Sequence, residues 1–314
     1  ADTIYALAFV VPMHTAGLKL ICRPSYEMAA GVMGSPFDYP LSSRFDENDA
    51  IFILDEALIP WEYVLFYGED EEPLQQLLGA GMEQRYCFHG CTRLAVKLDF
   101  IVGLLLKAIE TTGANGFAGV QMQVGEVIAW RNLFWGLSDA MAHSAQPAKG
   151  GMVLPNQEYA MAYRVMMSMA YPKIKEIIEN VLVSGLIYQP SGILDFQTPE
   201  LRPYLDKYVR GSNGVDAIDR VKLMKLLWDA VGTEFAGRHQ LYERNYGGAH
   251  EFIRQVNLFT LQENGQADQL KAFADQCMAE YDVDGWTAPD LFNPDDVNLF
   301  LNQNRHSKQG KELL

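Results

Sequence analysis

The chain has 314 residues, 49% apolar and 21% charged, a balance that marks a globular chain instead of a disordered one and allows one large domain or two modest ones. Its formal net charge of −15 argues against a nucleic-acid partner, whose phosphates would be repelled. The longest apolar run, Ile101 to Leu106, is too short to span a bilayer, so neither a membrane segment nor a signal peptide is expected, and four cysteines in a chain of this length point to free thiols in a reducing cytoplasm.

The sequence opens on Ala1 and runs into strand-like residues almost at once, as the later part of a longer protein would. Residues 1–68 read as β. IYALAFVVP and LKLICR are strand-like runs joined at Thr15-Ala16-Gly17, and a Pro/Ser/Asp-rich connection leads to a further strand, IFIL. A small antiparallel barrel or sandwich suits this pattern. Glu69 to Glu72 followed by Pro73 marks a boundary, after which the chain turns helical.

Arg93 to Thr111 is apolar nearly all round, which predicts a central bundle helix ending at Gly113. Val120 to Ala142 carries Val124, Val127, Ile128, Phe134 and Trp135 at helical spacing. Asn156 caps a long helix that Pro172 should kink before it ends at Gly185. Thr198-Pro199-Glu200 reads as the start of a helix that Gly211 closes. Helices follow at about Val221–Val231, Ala249–Asn264 and Gln266–Tyr281, and Asn293-Pro294 caps a last short one. The layout is α+β: a small antiparallel β domain (1–68), a helical bundle (69–281) and a tail with a short helix (282–314).

Most familiar motifs fail. Gly113, Gly116 and Gly119 follow a helix at the wrong spacing for a dinucleotide loop and predict a helix–helix turn. Cys87, His89 and Cys91 lack the second ligand pair of a zinc site and read as buried thiols, while Asp282-Val-Asp284-Gly285 reads as a turn. One stretch is different. From Val221 to Val231 the chain is an amphipathic helix, which should break at Gly232 and Gly237 and resume at Gln240 beside Arg238 and His239. Such a break offers backbone N–H groups and a cation to a phosphate or pyrophosphate. Tyr39, Tyr188, Tyr242, Tyr246, Trp61 and Trp130 are candidates to wall a flat aromatic ligand.

Six segments in order, SPFDYPLSSRFDENDAIFILDEALIPWEYVL, CTRLAVKLDFI, GEVIAWRNLFW, SGLIYQPSG, KYVRGSNG and LLWDAVGTEFAGRHQLYE, closely resemble the oxygenase-component family of 4-hydroxyphenylacetate 3-monooxygenases. The resemblance covers nearly the whole chain. It implies an acyl-CoA-dehydrogenase-like fold with a middle β domain and a C-terminal helical bundle, assembled as a homotetramer. It further implies that a separate flavin reductase supplies FAD as FADH2. With O2 this forms a flavin C4a-hydroperoxide that hydroxylates a small phenol ortho to its hydroxyl.

Carried over residue by residue, the family's flavin-binding loop falls on Phe235, Ala236, Gly237 and Arg238, with Ala236 where relatives often have Gly. Ser184, Gly185, Tyr188 and Ser191 match a turn that lies along the cofactor. Ala118 stands where relatives carry a basic residue after Phe117. The Arg, Tyr and His that orient substrate belong to the family's N-terminal half and have no counterpart here, so no catalytic residue is assigned. Alternatives on the same resemblance are a biosynthetic phenol hydroxylase and a 4-hydroxybutyryl-CoA dehydratase, whose cluster would need a His near Gln84. A helical scaffold without ligand is the non-enzyme alternative.

Overall fold

The protein is described by a computed structural model covering residues 7–45, 49–68 and 80–287. Two units are resolved by their internal contacts, Ala1–Asn257 and Leu258–Leu314. The expected boundary at Glu69–Pro73 and the last short helix near Asn293 lie outside the described residues.

The β residues form two antiparallel ladders. Strand β1 (Leu7–Phe9) pairs with β4 (Val64–Tyr67), and β2 (Leu18–Cys22) pairs with β3 (Ala50–Leu54) in unbroken register from Leu18–Leu54 to Cys22–Ala50. The expected turn at Gly17 is present, with φ of +85° and an added Cβ that would meet Asp55 O at 2.3 Å. It does not close a hairpin, however, because the strands it joins belong to different ladders. Alternation of apolar residues shows that a strand exists but leaves its partner unspecified. A short helix, α1 (Tyr26–Met33), follows β2 and is capped by Ser25, whose side chain accepts from Met28 N–H.

The first helical hairpin is α2 (Met82–Thr112) and α3 (Ala118–His143), joined by the glycine turn at Gly113, where φ is +73°. Cys87, Cys91, Leu94, Leu98, Ile101, Leu105 and Ala108 form one buried stripe on α2 at three- and four-residue spacing. Burial follows that stripe and does not run all round the helix: Val96, Phe100 and Leu106 are exposed. Helix α4 (Gln157–Leu182) packs against both. Asn156 caps it, accepting from Glu158 N–H and Tyr159 N–H at 3.0 and 3.2 Å.

Pro172 sits inside α4 without ending it; packing of the buried residues on both sides, from Met167 to Ile178, outweighs the one backbone hydrogen bond proline removes. The helix ends at Leu182, three residues before Gly185, because Val183 takes φ of +38°. Three short helices follow, α5 (Ser184–Ile187), α6 (Ile193–Gln197) and α7 (Arg202–Tyr208). Thr198 closes α6 by donating its hydroxyl to Leu194 O, so the expected helix starts four residues late, at Arg202 with Pro203 in its first turn.

Helix α8 (Ala217–Val231) packs on α2, and α9 (Glu234–Asn245) packs on α4 and α8. Helix α10 (His250–Glu263) docks through fully buried Ile253 and through Asn257, whose Nδ2 donates to Met161 O at 3.1 Å. The second unit holds α11 (Gln266–Met278) and a hairpin of β5 (Tyr281–Asp282) and β6 (Gly285–Trp286), with the expected turn between them. Among the described residues no helix is long and apolar enough to cross a membrane.

Candidate functional site

The junction between α8 and α9 is built around Asp229, a carboxylate with no solvent exposure. It accepts from Leu41 N–H at 2.7 Å, Ser42 N–H at 2.8 Å, the Ser42 hydroxyl and the Thr233 hydroxyl. Four donors compensate the burial of one charge. The geometric result is that the loop after α1 is pinned to the end of α8, just where α9 begins.

The break begins at Gly232, as the glycine pattern predicts, but ends at Thr233, so the helix resumes at Glu234 instead of Gln240. Thr233 caps α9 by accepting from Ala236 N–H, so Phe235, Ala236, Gly237 and Arg238 all lie within the helix. Gly237 is no breaker, because one glycine costs a helix only about 1 kcal/mol and tertiary packing of Phe235 and Ala236 outweighs that. Thus Phe235 and Ala236 are core residues, while Gly237 and Arg238 face outward along α9. A Cβ added at Gly237 would meet nothing within 4 Å.

That outward face borders an open groove of about 850 Å³. Its walls include Arg23, Tyr26, Asp49, Glu234, Arg238 and Tyr242. Arg238 makes a bidentate contact with Asp49, Nε to Oδ2 at 3.0 Å and Nη2 to Oδ1 at 2.8 Å. Arg23 is paired with Glu234 and lies 4.2 Å from the centroid of the Tyr26 ring. The Arg238 guanidinium hydrogen-bonded to Asp49 holds that carboxyl below its usual range. Burial pushes the Tyr26 hydroxyl up, against the nearby charge of Arg23, so it stays protonated and able to donate.

Two observations bear on what the groove can hold. Arg23 Nε and the Tyr26 hydroxyl are buried and have no hydrogen-bond partner among the described residues, a state native structures rarely leave unexplained. Among the described residues, the carboxylates paired with these guanidinium groups are exposed, Asp49 at 56% and Glu234 at 78% of the side chain. Exposed pairs of this kind are worth roughly 0–1 kcal/mol, so a phosphate can replace them at little cost. Donors that lack an acceptor, two cations held by displaceable partners and open space over Gly237 fit a diphosphate.

Of the six aromatic residues singled out by sequence, the structure brings two to the groove. Tyr242 and Tyr246 are stacked with centroids 4.2 Å apart, and the Arg238 guanidinium lies 5.3 Å from the Tyr242 ring. Tyr39 lines the neighbouring hollow with Tyr26 and Thr233, Trp130 stacks on Phe134, and Tyr188 and Trp61 are exposed. The turn residues sit elsewhere. Ser184 and Gly185 form α5 after the strained Val183, and Ser191 donates its N–H and hydroxyl to Asp195 at 2.7 and 2.9 Å. None of Ser184, Gly185, Tyr188 and Ser191 lines the α9 groove among the described residues.

Beneath α9, Glu243 is fully buried and accepts from Arg93 at 2.6 and 2.9 Å and from Lys97 at 2.6 Å. Burial alone would push this carboxyl up, but Lys97 and Arg93 outweigh it and its pKa is lowered. His239 points to the same side, with Nδ1 3.1 Å from Lys97 Nζ and its ring 4.4 Å from that of Phe235. Cys87 and Cys91 are buried thiols, both pushed up to about 12 by burial. Sequence reasoning missed Arg23, Tyr26, Asp49 and Glu243. Only the four-residue spacing of Arg93 and Lys97 on α2 hinted at a shared acidic partner.

Comparison with known proteins adds a family. Residues 1–66 match the model described as 4-hydroxyphenylacetate 3-hydroxylase N terminal, and residues 75–275 match the corresponding C-terminal model. The chain is similar to the oxygenase component of 4-nitrophenol 2-monooxygenase from Rhodococcus sp, 61% identical over 94% of this chain and 57% of that protein. It is 54% identical to the 4-hydroxyphenylacetate 3-monooxygenase oxygenase component of Pseudomonas aeruginosa, over 95% of this chain and 57% of that one. A crystal structure of the latter kind of oxygenase component, complexed with FAD, superposes with a TM-score of 0.80 at 30% identity, covering 88% of this chain and 56% of the other. The chain therefore spans a little over half the length of the relatives it matches.

Proposed function

This chain belongs to the 4-hydroxyphenylacetate 3-hydroxylase family, and we propose that it acts in the oxygenase component of a two-component aromatic monooxygenase that uses FADH2. The observation that carries the reading is the α9 groove, where Arg23 and Arg238 flank unpartnered donors in a chain similar to an FAD-bound oxygenase. Arg238 and Arg23 hold the cofactor diphosphate, and Gly237 leaves room for its approach. Tyr242 and Tyr246 form an aromatic wall. Phe235 and Ala236, buried beneath, anchor the helix that presents these groups. Reduced FAD, when bound, supplies the two electrons with which one atom of O2 enters the phenol ring and the other leaves as water.

The two relatives just described are named for 4-nitrophenol and 4-hydroxyphenylacetate, which supports a para-substituted monocyclic phenol hydroxylated ortho to its hydroxyl. A flavin reductase is the implied partner, and a homotetramer in the cytoplasm the implied setting. We divide the chain into a β domain (1–68), a helical bundle (69–281) and a tail (282–314). Ser184, Gly185, Tyr188 and Ser191 touch a cofactor only if a second part of it, or a second subunit, reaches them.

The test is a single turnover. The whole oxygenase component that contains this chain, mixed with chemically reduced FAD, a para-substituted phenol and isotopically labelled O2, should yield a catechol carrying one labelled oxygen. A reaction that returns only hydrogen peroxide, at the rate seen without protein, would overturn the assignment.

A further inference from the structure

The loop after α1 is held at two points by buried carboxylates. The first is its own Asp38, which accepts from Ser35 N–H and the Ser35 hydroxyl through Oδ2, at 3.1 and 2.8 Å. Through Oδ1 it accepts from Ile193 N–H at 3.0 Å. Ile193 opens α6, so a carboxylate 155 positions earlier in the chain satisfies the start of that helix. Lys225 of α8 stands 4.0 Å from the same Oδ1 and donates to Ser191 O at 2.9 Å. Space around Asp38 is tight: a Cβ added at Gly34 or Gly192 would meet its oxygens at 3.0 or 3.1 Å.

The second is Asp229, which takes the N–H groups of Leu41 and Ser42 and the hydroxyl of Thr233, the cap of α9. Only Tyr39 and Pro40 separate the two anchored points, and proline fixes its own φ. The stretch is also bonded within itself, Tyr39 N–H to Ser35 O at 2.9 Å and Ser43 N–H to Tyr39 O at 3.0 Å. Phe37 packs edge-on against Phe196 of α6, with ring centroids 6.5 Å apart. A continuous path therefore runs from the Ser191–Ile193 turn through Asp38, a short stiff loop and Asp229 to the first turn of α9. Its polar links are hydrogen bonds to carboxylates, the stronger kind, and both carboxylates are shielded from water.

We propose that Asp38 is a positioning residue for the α9 groove. With Asp229 it ties the Ser191–Ile193 turn to the start of α9, so that the two candidate cofactor segments, Ser184–Ser191 and Phe235–Arg238, are held as one frame. Asp38 itself touches no cofactor and acts through residues 39–42. The two carboxylates work in series: loss of either releases the frame, and loss of both releases it no further. Service to a cofactor rests on the flavin reading of the groove, whereas the link between the two carboxylates does not.

The experiment uses the whole oxygenase component that contains this chain, as wild type, Asp38→Asn, Asp229→Asn and the double variant. Without flavin, amide exchange is followed at Leu41, Ser42 and Ile193. Each single variant should speed exchange at the amides held by the other carboxylate as well as at its own. Under anaerobic conditions each should weaken reduced FAD by about 2- to 30-fold, the range for residues that couple sites without touching a ligand, and reduced riboflavin by less. The double variant should bind FAD no more weakly than the weaker single one, because the links are not independent. Gly192→Ala, which crowds the Asp38 carboxylate and keeps its charge, should reproduce Asp38→Asn. Should Asp229→Asn fail to fold, these two variants carry the test, and unchanged exchange at Leu41 and Ser42 in both overturns the proposal. A lower melting temperature with FAD affinity and the remote amides unchanged would mark a merely structural carboxylate and overturn it. Single losses that multiply in the double variant would do the same. FAD binding unaffected by Arg238→Ala would defeat the flavin reading alone, and exchange across the two carboxylates would still decide the frame.

Discussion

Replacing Glu243 by Gln isolates the electrostatic core of the helical bundle. The carboxylate is fully buried and takes three charge-assisted hydrogen bonds, two from Arg93 and one from Lys97, all between 2.6 and 2.9 Å. The amide keeps the shape, removes the negative charge and leaves two cations four residues apart on α2 facing a neutral group. Breaking a buried pair on one side costs about 3–5 kcal/mol. At roughly 2–4 °C per kcal/mol for a unit of this size, the melting temperature should fall by about 6–20 °C.

The pH dependence has a definite sign. Because the folded pKa is lowered, this group's contribution is fully present above the unfolded carboxylate value of about 4.3 and is lost as pH falls through the lower folded value. The wild-type advantage over Glu243→Gln should thus be constant from neutral pH down to about 5 and shrink below about 4. Adding Lys97→Met to Glu243→Gln should recover part of the loss, since the repulsion between two cations four residues apart on α2 is relieved. A loss below about 1 kcal/mol at neutral pH, the size of a surface pair, would refute the reasoning.

Asp229→Ala removes the acceptor of four donors at the α8–α9 junction and should cost about 2–4 kcal/mol, with faster amide exchange at Leu41 and Ser42 as the local signature. Native protein should expose two reactive thiols, Cys22 and Cys277, to an alkylating reagent at neutral pH, while Cys87 and Cys91 react only after unfolding; four fast thiols would contradict the burial. Asp49→Asn releases the carboxylate from Arg238 and should tighten FAD binding modestly, by at most about 1 kcal/mol. Weaker binding in that variant would show that Asp49 orients Arg238 more than it competes for it.

The helices were the most legible part of the fold. Asn156 as a cap, Gly113 as a stop and the stripe from Cys87 to Ala108 are local signals, and local hydrogen bonds and packing decide helices. What depends on distant partners was not legible. Nothing in LKLIC identifies Ala50–Leu54 as its partner, and nothing in ARG-type charge patterning links Glu243 to residues some 150 positions away. The candidate loop was found through its glycines and Arg238, but glycine is an ambiguous stop signal. The cap at Thr233 was a better guide than Gly237, because a hydroxyl that satisfies an end N–H marks a start directly. Arg23, Tyr26 and Asp49 reach the groove only through the β2–α1 fold and the pinning of residues 41–42 by Asp229, which no single stretch encodes.

The central claim is that the Arg238 face of α9 holds the diphosphate of a flavin. It is tested most directly by the affinity of wild type and Arg238→Ala for reduced FAD and for reduced riboflavin, which lacks the diphosphate. Loss of a charge-assisted hydrogen bond predicts a drop of roughly 1.5–3 kcal/mol for FAD and no change for riboflavin. Equal FAD affinity in the two proteins, or an equal loss for both flavins, would contradict it.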